Sequence, residues 1–342
     1  MTQKTHGKGL FARTGRICAV VAGYTARDAI RQVKEGLTHS RTIELRLDWL
    51  RNAGQRARLL DWLRGSRLTA TFIATCRTKA GGGRFAGSVG AQLDILASAV
   101  RSGCDWCDVE VETLRSNGME GVRRVLRPAR ILVSFHDFRG TPKSLVRQAA
   151  AALHFGGDGT KIAVQTHRIA DSIRVLDLAR RRRHVVAIPM GEAGLPARVL
   201  ALREGGELAY APVREATAPG QVSLRDMQQL YRAGRLSRGT RVYGIVGDPV
   251  GHSLSPLLHN TGFIERGLDA VYLPFRVEDL SDFLKAIPRF QIRGFSVTLP
   301  HKRSILRWLD ECEPLAAEIG AVNTVVVGRD GRLYGCNTDY VG

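Results

Sequence analysis

From residue 17 to about 215, short apolar runs alternate with amphipathic stretches. The runs begin near Ile17, Thr42, Thr69, Asp105, Ile131, Lys161, His184 and Glu207. Between them, segments such as 26–37, 91–102, 143–155, 169–181 and 196–204 carry apolar residues at helical spacing. Eight strands each followed by a helix predict a parallel (β/α)8 TIM barrel, compact beside the ~250 residues typical of that fold. The pattern changes after Gln221, with a helix-like stretch at 224–233, a polar stretch at 234–240 and a new α/β alternation from Val242. The chain therefore divides into a barrel over 1–225, a linker over 226–240 and a smaller α/β domain over 241–342.

Charges interrupt the strand pattern. In Ile43-Glu44-Leu45-Arg46-Leu47-Asp48, a period of two puts Glu44, Arg46 and Asp48 on one face and the aliphatic residues on the other. Parallel barrel strands are covered by helices outside and packed within, so the charged face must look inward. Thr75 and Arg77 on the third strand follow the same rule, as do Asp108 and Glu110, Ser134 and His136, and Lys161 on the next three. Isolated buried charges are too costly to be incidental, and charges at the carboxyl ends of barrel strands mark an active site. The competing reading is a purely structural ion-pair network.

Composition narrows the classes. The chain has 342 residues, 44% hydrophobic and 24% charged, enough to build two cores. No window approaches the roughly 18–20 apolar residues of a membrane span, and no signal-peptide run follows the basic first sixteen residues. The cytoplasm is the expected compartment, with no membrane partner. Of six cysteines only Cys104 and Cys107 form a C-x-x-C, and no second ligand pair stands at zinc-site spacing. Buried, reduced thiols and no metal are expected. The net charge of +19 invites a nucleic-acid reading. The basic residues are spread along the chain, however, and the one dense run, Arg180 to Arg183, falls at a helix end where cations suit the dipole.

The inward set suits one chemistry. A lysine among desolvating walls and arginines can act as a free amine, attack a carbonyl and form a Schiff base. His136, on the adjacent strand, suits proton transfer near neutrality. The protonated imine is an electron sink that makes the neighbouring C–H acidic. Arg46, Arg77 and Arg198 can grip a carboxylate and hydroxyls through forked hydrogen bonds. The constellation predicts a small anionic keto acid as substrate.

The stretches E-L-R-L-D at 44–48, C-R at 76–77, D-V-E at 108–110, S-F-H-D-F at 134–138, K-I-A at 161–163, P-M-G at 189–191 and A-P-G-Q at 218–221 occur in order. Together they resemble the type I 3-dehydroquinate dehydratases over residues 15–225. The resemblance implies that Lys161 forms the imine and that His136 removes the C2 proton and then protonates the departing hydroxyl. Glu44, Arg46, Arg77, Arg198, Thr217 and Gln221 would hold 3-dehydroquinate, and no cofactor is implied. One departure is visible: the family often has an acid in the loop after the third-strand arginine, where this chain reads Lys79-Ala80-Gly81-Gly82-Gly83. The lid is expected to close differently.

In the second domain, V-Y-G-I-V-G-D-P-V-G-H-S-L-S-P at 242–256 reads as a strand, a turn and a helix start. Ser253 and Ser255 stand at that start, where hydroxyls and backbone N–H groups can bind a ligand's oxygens or merely cap the helix. With G-F-S-V-T-L-P-H-K at 294–302, G-A-V-N-T at 320–324 and G-C-N-T-D at 335–339, this resembles the substrate-binding domain of shikimate dehydrogenases. That resemblance implies contacts from Ser253, Ser255, Thr298, Asn323 and Asp339 to 3-dehydroshikimate or shikimate, with Lys302 and Asp339 as the catalytic pair. Ser296 stands where asparagine is usual, and His301 reads as incidental.

A glycine-rich dinucleotide turn between strand and helix is not found, because Gly81–Gly83 and Gly156-Gly157 have barrel-loop surroundings. NADP is expected only if a further domain accompanies these two, and the sequence reads as part of a longer bifunctional enzyme. The expected partners are small molecules rather than nucleic acid, with a homodimer left open. A non-catalytic sensor or repressor on the same domains is the alternative. It would need binding groups but not the imine lysine, so Lys161, His136, Lys302 and Asp339 favour an enzyme.

Overall fold

The structure, a computed structural model, describes residues 10–11, 15–214 and 220–340. Eight strands form the first sheet: β1 (Ile17–Val21), β2 (Thr42–Arg46), β3 (Thr71–Thr75), β4 (Trp106–Glu110), β5 (Arg130–Asp137), β6 (Gly159–Gln165), β7 (Val185–Met190) and β8 (Ala209–Pro212). They run parallel in the order β7-β6-β5-β4-β3-β2-β1-β8, a nearly closed barrel whose seam lies between β7 and β8. A backbone bond from Glu207 N to Val185 O, 3.5 Å long, crosses that seam.

Helices α1 (Ala26–Leu37), α2 (Ala53–Gly65), α3 (Val89–Arg101), α4 (Val111–Leu126), α5 (Leu145–His154), α6 (Ile169–Arg181) and α7 (Leu195–Leu200) follow the first seven strands. Three of these helices begin on a side-chain cap of the expected kind: Thr25 accepts from Asp28 N, Asn52 from Gln55 N and Ser88 from Ala91 N. Between β8 and Arg241 no full α-helix forms among the described residues. A π-turn at Asp226–Leu230 and a 3-10 turn at Ala233–Arg235 stand in its place. Met227 and Ala233 there are fully buried, so this stretch packs against the barrel.

Barrel strands meet apolar surroundings on both sides, but the filling changes along the axis. Phe11, Cys18, Val20, Ile73, Trp106, Leu132, Val186, Leu208 and Tyr210 form one inner cluster. The inward positions toward the carboxyl ends are the charged ones, and the site is built there.

The second domain contains β9 (Arg241–Gly247), α8 (Ser255–Glu265), β10 (Ala270–Arg276), α9 (Leu280–Phe290), β11 (Ile292–Val297), β12 (Glu311–Cys312), α10 (Pro314–Ile319), β13 (Thr324–Val327) and β14 (Leu333–Cys336). Its mixed sheet has the order β10-β9-β11-β13-β14-β12. Strands β10, β9 and β11 are mutually parallel, and β13 runs antiparallel to β11. Connections leave β9 and β11 in opposite directions, which makes a topological switch point beside their carboxyl ends.

The domains touch through α6 and α9. Arg289 donates to Asp177 Oδ1 at 2.8 Å and Glu204 Oε2 at 2.9 Å, and Asp282 accepts from Ala170 N at 3.2 Å. The buried Arg203 donates to the Phe290 carbonyl at 3.2 Å and to Gln291 Oε1. The described cysteines are all free thiols, with four buried and Cys312 and Cys336 half-buried. Among the described residues no helix is long and apolar enough to cross a membrane.

Candidate active site

Lys161 sits on β6 with its side chain in the barrel, where period two and the parallel register place it level with Ser134 of β5. Its Nζ lies 3.0 Å from Asp108 Oδ2 and 3.3 Å from Glu44 Oε1. The Tyr210 ring lies below, 4.1 Å from Nζ to the centroid. The ammonium therefore rests between two carboxylates and an aromatic face, rather than among arginines alone. Thr75 donates to Glu44 Oε1 at 2.8 Å and fixes that carboxylate.

Asp108 organises the floor. Its second oxygen accepts from Arg77 NH2 at 2.7 Å and from the Ser134 hydroxyl at 2.6 Å. Burial alone would raise its carboxyl, but Arg77, Lys161 and His136 hold it well below the usual carboxylate range. Burial opposes the Arg77 charge in the same way, yet Asp108, Glu110 and Glu44 keep the guanidinium firmly protonated.

His136 follows Ser134 by two residues, so it faces the same way and stands at the mouth, level with Ala163 of β6. Burial, with Arg77 and Lys161 close by, pushes its imidazole well below 6.5. It is neutral near pH 7 and able to accept a proton. Phe138 stacks on it at 6.0 Å.

Val20, Glu44, Arg46, Thr75, Arg77, Gly81, Gly82, His136, Phe138, Lys161, Ala163, Ile188, Met190, Arg198, Tyr210 and Gln221 line one cleft, so the barrel residues of the expected set gather together with one exception. Thr217 lies outside the described residues. Arg46 is held by a bidentate pair to Asp48, at 3.0 and 2.8 Å, so Asp48 backs the wall instead of lining it. Arg198 donates to the Pro189 carbonyl at 2.7 Å, and burial brings its guanidinium down to about 10.

Glycines close the cleft. A side chain at Gly220 (φ +68°) would overlap the Gly191 carbonyl, so Gly220 and Gly191 meet, and Gln221 follows at the rim. Tyr210, Phe138 and Met190 were not singled out from the sequence, because aromatic and sulfur side chains in strands read as packing. The only available signal for Tyr210 was its inward parity on β8, where it pairs with Cys18.

The second constellation lies at the switch point. Ser255 begins α8 after β9 and Ser253 stands two residues before it; the Ser253 hydroxyl accepts from Ser255 N at 3.2 Å, while Leu254 holds the cap position without a side-chain bond. Tyr272 of β10 donates to Ser296 at 2.8 Å. Burial raises the Tyr272 hydroxyl, against the opposing hydrogen bonds of Ser296 and Ser255. Thr298 packs on Gly247, where any side chain would overlap its methyl. Lys302 Nζ meets Asp339 Oδ2 at 2.7 Å, and this bond draws the exposed Asp339 carboxyl down. Asn323 is buried and bonded to Thr338, accepting its N–H at 3.0 Å. His301 is buried with Nε2 2.6 Å from the Val277 carbonyl, which ties it to the frame.

A dinucleotide cradle needs glycines open to a ligand. A side chain at Gly81, Gly82 or Gly83 would overlap Glu110, Phe138 or the Arg77 carbonyl respectively, and one at Gly157 would lie 2.5 Å from Val133. These glycines are occupied by protein, and Gly156, which is open, lies in the turn from α5 to β6 and not between a strand and a helix, so neither glycine cluster forms a dinucleotide cradle and no step is derived through NADP.

Residues 17–237 match the family model of type I 3-dehydroquinase, and residues 245–325 match the shikimate dehydrogenase substrate binding domain. The chain is 34% identical over 337 residues to a chloroplastic bifunctional 3-dehydroquinate dehydratase/shikimate dehydrogenase of Arabidopsis thaliana, covering 95% of this chain and 55% of that one. Over 104 residues, 30% of this chain and 37% of the relative, it is 52% identical to the shikimate dehydrogenase (NADP(+)) of Bacillus mycoides. The solved dehydroquinate dehydratase and shikimate dehydrogenase from S. pombe AroM shares the fold with a TM-score of 0.53. The two are 24% identical, over 96% of this chain and 65% of that one. The chain thus spans about half the length of its bifunctional plant relative. It belongs to the type I 3-dehydroquinase family and carries a shikimate dehydrogenase substrate-binding domain behind the barrel.

Proposed function

We propose that this member of the type I 3-dehydroquinase family dehydrates 3-dehydroquinate to 3-dehydroshikimate, a step of the shikimate route to aromatic amino acids. The observation that carries the reading is Lys161 and His136 on adjacent strands in one cleft, with the amine held by Asp108 and Glu44 and the imidazole neutral. Once a proton has left the Lys161 ammonium, its amine adds to the substrate ketone and water departs, leaving a protonated imine. His136 removes the C2 proton, and the electron pair moves into the imine to give an enamine. The same imidazolium then protonates the hydroxyl as it leaves, and hydrolysis of the conjugated imine frees the product and Lys161. Asp108 and the Tyr210 ring offset positive charge on the nitrogen throughout.

Arg46, Arg77, Arg198, Thr217, Gln221 and Glu44 bind the substrate's carboxylate and hydroxyls. Fixed in advance by their own partners, the arginines lose little freedom when the ligand arrives.

In the second domain, Ser253, Ser255, Thr298, Asn323 and Asp339 bind 3-dehydroshikimate or shikimate, and Lys302 with Asp339 holds the proton exchanged at the reacting oxygen. NADP-dependent reduction would need a dinucleotide domain beside this one. The whole works on small molecules, in a cytoplasmic setting, with domain limits near 225 and 240.

The test is borohydride reduction in the presence of 3-dehydroquinate, with mass mapping of the adduct. Trapping on Lys161 and its loss in Lys161→Ala support the reading. Folded wild type that neither traps nor produces the near-ultraviolet absorbance of the enone overturns it.

A further inference from the structure

We infer that Glu110 is a positioning residue whose carboxylate, seated on Gly81, docks the loop 78–85 over the barrel mouth. The inference rests on the cleft being the substrate site proposed above.

Glu110 closes β4 and is buried. Thr78 reaches it twice, from N at 3.1 Å and from Oγ1 at 2.9 Å, while the same Thr78 hydroxyl accepts from Gly81 N at 3.1 Å. Gln92 of α3 donates to the second Glu110 oxygen at 2.8 Å and to the Cys76 carbonyl at 2.7 Å, and Thr113 fixes Gln92 by donating to its Oε1 at 2.7 Å. The chain Thr113–Gln92–Glu110–Thr78–Gly81 therefore ties the loop to two helices behind it.

A methyl group at Gly81 would overlap Glu110 Oε1 and stand 3.0 Å from Arg77 Cδ. The bare backbone of Gly81 is what lets the carboxylate lie under the loop. A carboxylate tip could normally swing aside, but this one would have to release Thr78 and Gln92 to do so. Gly81 has no left-handed φ, so alanine there carries no backbone strain of its own. The loop it anchors supplies Gly81 and Gly82 to the cleft wall, beside Arg77 and Phe138. The loop acid usual in the family is missing from this chain, and an acid from β4 stands against the loop instead.

The experiment compares Gly81→Ala, Glu110→Ala and the double variant in the full chain, measuring steady-state kinetics on 3-dehydroquinate and amide hydrogen exchange over 78–85. Each single variant should raise KM about tenfold with kcat changed less than about threefold, as expected for binding lost equally in ground and transition states. The alanine methyl acts chiefly by displacing Glu110, its one other close neighbour being Arg77 Cδ at 3.0 Å, so the double variant should lie near Glu110→Ala instead of multiplying the two losses. The amides of Gly83 and Phe85, which bond to Thr78 O and Arg77 O, should exchange faster in all three. Multiplicative losses, or exchange rates equal to wild type, overturn the inference. If Glu110→Ala does not fold, Glu110→Asp takes its place, because one methylene fewer draws the carboxylate back from Thr78 and Gln92. Borohydride trapping at Lys161 is run on every protein. Its absence in wild type counts against the dehydratase reading, while the exchange data still decide the role of Glu110.

Discussion

Asp108 divides its carboxylate between Lys161, 3.0 Å from one oxygen, and Arg77, 2.7 Å from the other. A single buried acid thus sets the position of both the amine proposed to react and a guanidinium proposed to bind. Replacing it by asparagine leaves two buried cations facing a neutral amide. Breaking such a pair costs about 3–5 kcal/mol. Asp108→Asn should lower the urea midpoint accordingly and abolish trapping at Lys161; an unchanged midpoint would contradict this account.

The same carboxyl predicts an acid signature. Its folded value lies below the ordinary 3.8, so its stabilisation is complete above 3.8 and is lost as pH falls through the depressed value. Below pH 4, wild-type stability should fall with a slope steeper by up to one proton than that of Asp108→Asn. Urea titrations at several acidic pH values measure both slopes.

His136 must be neutral to act as a base, and its imidazole is held below 6.5 by burial and by Arg77 and Lys161. The acid limb of kcat/KM should therefore turn below pH 6.5, and His136→Ala should lower kcat by about 10²–10⁴. A limb at 6.5 or above would mean that the cation is stabilised in the working site.

Tyr210 carries a buried hydroxyl without a hydrogen-bond partner in the structure, beneath the Lys161 ammonium. Leaving such a group unpaired costs about 1–3 kcal/mol. Tyr210→Phe keeps the ring and removes the hydroxyl, so it should raise the urea midpoint or leave it unchanged, with trapping intact. Tyr210→Leu should weaken trapping, because it removes the aromatic face under the nitrogen.

Arg289 joins the domains by binding Asp177 and Glu204 at once, with its side chain 18% exposed. Arg289→Ala leaves the buried Glu204 with Arg203 and the more exposed Arg180, and should cost roughly 1–3 kcal/mol. Calorimetry should resolve two thermal transitions in the variant where wild type has one. Both proteins melting as one unit would show that the remaining contacts between the domains, including those of Arg203 and Asp282, suffice.

The alternation of β2 at Glu44 and Arg46, and of β5 at Ser134 and His136, was legible in the chain because strand parity is a local property of the backbone. Once the barrel was recognised, parity alone placed most of the charged set in one cleft. Helix α6 ran over the predicted residues 169–181. Other features depended on approach across the fold. Lys161 meets Asp108 across 53 residues, Glu110 seats on Gly81, and Gly220 meets Gly191, each only when the barrel has closed. Nothing local at Gly81 announces an acid against it, since the need for a missing side chain comes from a neighbour on another strand. Likewise the stretch at 226–235, polar enough to read as a linker, packs on the barrel through Met227 and Ala233. Periodicity told which side chains face inward; the closing of the barrel decided which of them touch, because contact is set by register and distance that no single segment contains.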